Sequence, residues 1–97
     1  MARHDSDRVP AILIHPGEVL KEEIVARRMT QKELAEKMGR PMQIVSLIIN
    51  GRKGISEETA LDLEKAFGGE LSAQFWINLD SSYRLDVARR KRQQRAA

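Results

Sequence analysis

The sequence predicts an all-α fold of five helices, with a helix-turn-helix unit as the second and third. Three observations predict it. Apolar residues recur three and four positions apart in several separate stretches, the period of a half-buried helix. Helix-capping residues (Thr30, Ser56, Ser72) open three of these stretches, and most of them close on glycine. No alternation of period two persists long enough to argue for a sheet. At 97 residues the chain has room for one small domain and not for two. The expected division is an N-terminal arm over 1–14, a helical domain over 15–83, and a basic helix end or tail over 84–97.

In the arm, Val9, Ala11, Ile12 and Leu13 can form a short extended piece against the bundle, or stay disordered until something binds. His15-Pro16-Gly17-Glu18 opens the first helix. Pro16 suits a first turn, where its missing N–H had no partner, and Glu18, Glu22 and Glu23 suit the positive end of the helix dipole. Val19, Leu20 and Ile24 make its apolar stripe, and Arg27 and Arg28 stand at its C-terminal end. His15 has no second His at helical spacing, so a structural or capping role is expected rather than a metal ligand or a catalytic imidazole.

The second helix is expected over Gln31 to Met38. Thr30 caps it and Glu33 completes a capping box. Leu34, Ala35 and Met38 share one face, and Gly39 ends the helix because it enters a left-handed turn at least cost. Pro41 can start the third helix, which runs to Asn50 with Ile44, Val45 and Ile48 on one face. Gly51 closes it. Two short helices about a Gly-centred turn make the helix-turn-helix unit. Ser56 caps a fourth helix, Glu57 to Phe67, whose stripe is Ala60, Leu63 and Phe67, widened by Leu61. Gly68 and Gly69 stop it. Ser72 caps a fifth, with Phe75, Trp76, Leu79 and Tyr83 on a wide apolar stripe that Val87 and Ala88 extend weakly. That stripe is the main core of the bundle, and part of it can also face a second subunit.

TQKELAEKMG followed by IVSLIINGRKGIS resembles the phage-repressor (Xre) type of DNA-binding domain. HPGEVLKEEI upstream and AFGGELSAQFWINL downstream narrow the resemblance to antitoxins of the HigA/VapI type, over about His15 to Leu79. The resemblance implies a phage-repressor-like five-helix fold. It also implies a repressor that binds its own operator in double-stranded DNA and neutralises a ribonuclease toxin of the HigB type.

In such a unit the second helix crosses the DNA backbone and the third lies in the major groove. Gln31 opens the second helix, where a side-chain amide and free backbone N–H groups can hold a phosphate oxygen. Met42, Gln43, Ser46, Leu47 and Asn50 make the outward face of the third. Gln43 can pair with adenine through two hydrogen bonds, and Ser46 can reach a base or a phosphate. Met42 and Leu47 depart from the usual polar pattern, and can meet thymine methyl groups or pack elsewhere. Arg52 and Lys53, between Gly51 and Gly54, can grip phosphates. A nucleotide-binding P-loop is excluded, because neither its GxxxxGK[ST] pattern nor a preceding strand is present.

Charge is divided unevenly. Residues 1–79 hold 11 Lys/Arg against 12 Asp/Glu, whereas residues 80–97 hold 6 against 2. The basic end can add phosphate contacts, or be a solvated, frayed helix end. There is no cysteine, which excludes disulfides and thiol chemistry and suits a reducing cytoplasm, which the resemblance implies is bacterial. No apolar run is long enough for a membrane span, and the N-terminus has no signal-peptide core. Glu57, Glu58 and Asp62 read as a solvated helix start, and nothing points to an enzyme, a cofactor or a metal. A homodimer is expected, since one recognition helix meets too few bases for useful specificity. Two other readings stay open: a regulator of the same fold without a toxin, and a protein–protein adaptor that lost DNA binding. Met42 and Leu47 favour the adaptor, and Gln31, Gln43, Arg52 and Lys53 oppose it.

Overall fold

The computed structural model describes residues 13–96. The expected extended piece at Val9, Ala11 and Ile12 lies outside them. Among the described residues there are five helices and no strand: α1 Pro16–Ala26, α2 Gln31–Met38, α3 Met42–Ile49, α4 Glu57–Ala66 and α5 Ala73–Ala96.

The helix starts follow from local chemistry. His15 Nδ1 accepts the Gly17 N–H at 2.9 Å, and the Glu18 carboxylate reaches back to the His15 N–H. His15 is therefore a cap, as its sequence context suggests. Thr30 and Ser56 cap α2 and α4 through their hydroxyls, and Ser72 Oγ accepts the Phe75 N–H at 3.0 Å. Pro41 does not enter the third helix. It stands one residue before it in an extended conformation, so α3 begins at Met42.

The four shorter helices end alike. After each, a residue with positive φ bends the chain, and two backbone N–H groups reach back to the last turn. For α2 the bonds run from Gly39 to Glu36 and from Arg40 to Ala35. For α3 they run from Gly51 to Ile48 and from Arg52 to Leu47. Gly39, Gly51 and Gly68 take the left-handed position after α2, α3 and α4, but after α1 it falls to Arg28, at φ 55.

Leu20 and Ile24 of α1, Leu34, Ala35 and Met38 of α2, Val45 and Ile48 of α3, Ala60 and Leu63 of α4, and Trp76 of α5 form one buried core. Ile55 and Phe67 join it from the chain on either side of α4. Burying a side chain of this size stabilises the fold by about 1.5–3 kcal/mol. Trp76 is wholly enclosed, stacked on Phe67 with ring centroids 5.9 Å apart and met edge-on by Phe75 at 5.1 Å. The stripe of α5 is thus core at Trp76, while Phe75, Leu79 and Tyr83 are half-buried. Leu61 does not widen the stripe of α4. It is 58% exposed, because Ala60 and Leu63 centre the buried face and turn Leu61 away.

Contacts between elements fix the arrangement. α1 crosses α3 so closely at Gly17 that a Cβ there would fall 1.9 Å from the Ile48 carbonyl oxygen. Arg40, in the turn after α2, pairs with Asp62 of α4 at 2.7 Å. Arg27, just past α1, pairs with Glu70 at 2.7 Å and lies 4.7 Å over the Phe67 ring. The hydrogen bond to Glu70 raises the pKa of the Arg27 guanidinium above its ordinary value. α5 is 24 residues long, about 36 Å at the rise of an α-helix. From Arg84 to Arg95 none of its residues is buried, so its second half runs past the core.

Candidate nucleic-acid interface

α2 and α3 pack against each other, with the Gly39–Pro41 turn between them. The entry to α2 is held by a complete capping box. Glu33 N–H donates to the Thr30 hydroxyl at 3.0 Å, and Thr30 N–H donates to the Glu33 carboxylate at 2.8 Å. That backbone bond is the main cause that holds the Glu33 carboxyl below the ordinary carboxylate range. Gln31 is the first residue of the helix and is half-buried.

α3 buries Val45 and Ile48 against the core and half-buries Ile44 and Ile49. Its exposed N-terminal end consists of Met42, 51% exposed, and Gln43. Ser46 and Leu47 follow one turn later and are half-buried, so Leu47 is only partly outward. Asn50 is exposed just beyond the helix, and its amide donates to Ser46 Oγ at 3.4 Å. The predicted face is therefore continuous, polar at Gln43, Ser46 and Asn50 and apolar at Met42 and Leu47.

The chain leaves α3 through Gly51 and passes directly to Arg52 and Lys53, both exposed. Among the described residues neither forms an ion pair. A shallow recess of about 180 Å³ separates this loop from α5, with Asp80, Tyr83 and Arg84 on its far side. His15 enters it from the start of α1, its ring edge-on to Tyr83 at 4.8 Å. On the loop side, Ile55 N–H donates to Asp80 Oδ1 at 3.1 Å, and Arg84 Nε donates to Asp80 Oδ2 at 2.8 Å.

Asp80 was not legible as part of this region from the sequence. An acid in mid-helix reads as a solvated face, yet it is only 5% exposed. The available signal was its place one residue after Leu79 on the apolar side of α5. The predicted residues thus fall at three places: Gln31 at the start of α2, Met42, Gln43, Ser46, Leu47 and Asn50 along α3 and just beyond it, and Arg52 and Lys53 in the following loop. The basic residues from Arg89 onward belong to the half of α5 that runs past the core. Among the described residues no cluster of His, Asp or Glu is placed to hold a metal ion, and no helix is long and apolar enough to cross a membrane.

Comparison with known proteins bears on this geometry. A family model described as helix-turn-helix (HTH_3) matches residues 20–73. Virulence-associated protein I of Dichelobacter nodosus is 34% identical over 88 residues, which span 90% of this chain and 78% of that protein. The solved structure of an addiction-module antidote protein of the HigA family from Coxiella burnetii is similar with a TM-score of 0.77 and 37% identity. The match covers 86% of this chain and 89% of that one. The Pseudomonas aeruginosa antitoxin HigA, solved with the higBA promoter, matches with a TM-score of 0.78 and 32% identity over 88% and 91% of the two chains.

Proposed function

The chain belongs to the helix-turn-helix family, and from that premise we propose that it is a DNA-binding repressor and the antitoxin of a HigBA-type pair. On this reading α3 enters the major groove and Gln43 reads adenine, with Ser46 and Asn50 behind it and Met42 and Leu47 against thymine methyl groups. Gln31 holds a phosphate at the start of α2, where the helix N-terminus favours an anion. Arg52 and Lys53 hold phosphates from the loop beyond α3. Residues 15–83 are the DNA-binding domain, and the basic end over 84–97 adds non-specific attraction. The protein acts as a homodimer in the bacterial cytoplasm, represses its own operon and neutralises a HigB-type ribonuclease.

One observation carries the DNA-binding part: the polar face of α3 stands between a capped helix start and a loop with two exposed cations. The similarity to a HigA solved with its promoter supports the same reading. The toxin rests on kinship with antitoxins.

The test is binding to the DNA upstream of the chain's own gene, titrated at two salt concentrations beside scrambled DNA. Tight binding that prefers the upstream DNA and weakens steeply with salt is expected, by about one unit of log–log slope per phosphate contact. Equal binding to both DNAs would remove the repressor reading and favour a protein-binding adaptor. For the antitoxin part, a neighbouring open reading frame for a small basic protein, silenced when the two are co-expressed, is the expected result. With no such frame, the chain is a regulator without a toxin.

A further inference from the structure

The segment between α3 and α4 is short of bonds of its own. Behind it, Arg52 N–H returns to the Leu47 carbonyl at 2.9 Å and ties the segment to α3. Ahead of it, the tie comes from a remote part of the chain. Ile55 N–H donates to Asp80 Oδ1 on α5, and Gly54 lies so near that a Cβ there would stand 2.7 Å from the same oxygen. Arg84 Nε takes the other oxygen, which stops the carboxylate from rotating away from the loop. A buried carboxylate is costly unless its oxygens are hydrogen-bonded. This one stands where a backbone N–H of the loop needs an acceptor.

We propose that Asp80 is a positioning residue of the DNA interface: from α5 it fixes the backbone of the loop and so sets where Arg52 and Lys53 stand. It touches no DNA itself. The two cations are pinned on one side by the end of α3 and on the other by Asp80. Without the second pin, the loop spreads the two cations over many positions and their phosphate contacts are lost for much of the time. The proposal rests on the phosphate-binding role given above to Arg52 and Lys53.

The experiment compares wild type, Asp80→Asn and Asp80→Ala, each alone and with Arg52→Ala and Lys53→Ala together. Every sample is titrated with upstream and with scrambled DNA over a salt series, and urea unfolding is run in parallel. Asp80→Ala is expected to weaken both DNAs by the same factor, leave the preference unchanged, and lower the salt slope by about one to two. It is expected to cost nothing further once Arg52 and Lys53 are gone. Asp80→Asn keeps an oxygen for Ile55 N–H but turns an amide toward Arg84, so its slope is expected between the other two.

A wild-type slope in both variants, or the same loss with and without the two cations, overturns the proposal. If Asp80→Ala does not fold, Asp80→Asn decides by its slope: a slope below that of wild type supports positioning, and a wild-type slope overturns it. Should wild type bind both DNAs equally, the repressor reading fails while the slope on scrambled DNA still tests Asp80. If wild type binds neither DNA, both readings fall.

Discussion

Gln43 and Arg52 stand at opposite ends of α3, and in the proposed complex they meet different parts of the duplex. Gln43→Ala is expected to weaken binding to the upstream DNA by about 1–3 kcal/mol and to leave scrambled DNA nearly untouched. Equal losses on the two DNAs, measured by titration, would take Gln43 off the bases. Arg52→Ala is expected to weaken both DNAs alike and to lower the salt slope by about one. An unchanged slope would take Arg52 off the phosphates. The exposure of both residues could be read from the sequence, because the inward set of α3 is apolar at helical spacing and leaves them outside. Leu47 was harder: an apolar residue beside the buried stripe is half-covered by neighbours that only the packed fold supplies.

Among the elements, the ends of the helices carry the most local information. Thr30, Ser56, Ser72, Gly39, Gly51 and Gly68 could each be assigned a role from the residues around them, because a cap bonds within three or four positions. The exception is the end of α1, where Arg28 adopts a conformation that glycine takes without cost. Arg28→Gly is expected to raise stability by about 0.5–1 kcal/mol, the relief of left-handed strain less the added freedom of the unfolded chain. Urea unfolding checks it, and a lower midpoint would show that the Arg28 side chain stabilises the fold by more than its backbone costs. Element boundaries shifted only slightly, at Pro41, Asn50 and Phe67, each of which stands just outside its helix as a cap. The direction of Leu61 and the burial of Asp80 were not legible. Each depends on which distant segment covers the face, and the bond from Asp80 to Ile55 joins positions 25 residues apart.

At the scale of the molecule, one copy presents one recognition helix, and useful specificity asks for two. A homodimer is expected to read half-sites about 34–36 Å apart. Inserting about 5 bp between them turns one half-site to the far side of the duplex and is expected to reduce affinity toward that of a single half-site. Band-shift titration of the spaced sites checks this, and unchanged affinity would mean that each subunit binds alone. The five-helix order followed from caps and periodicity. The enclosure of Trp76 has a practical side. It is the only tryptophan in the chain, it sits between two phenylalanine rings, and no solvent reaches it. Its fluorescence should be silent to events at the surface of α3 and shift to the red only when the bundle opens, giving an optical gauge of folding that DNA binding does not disturb.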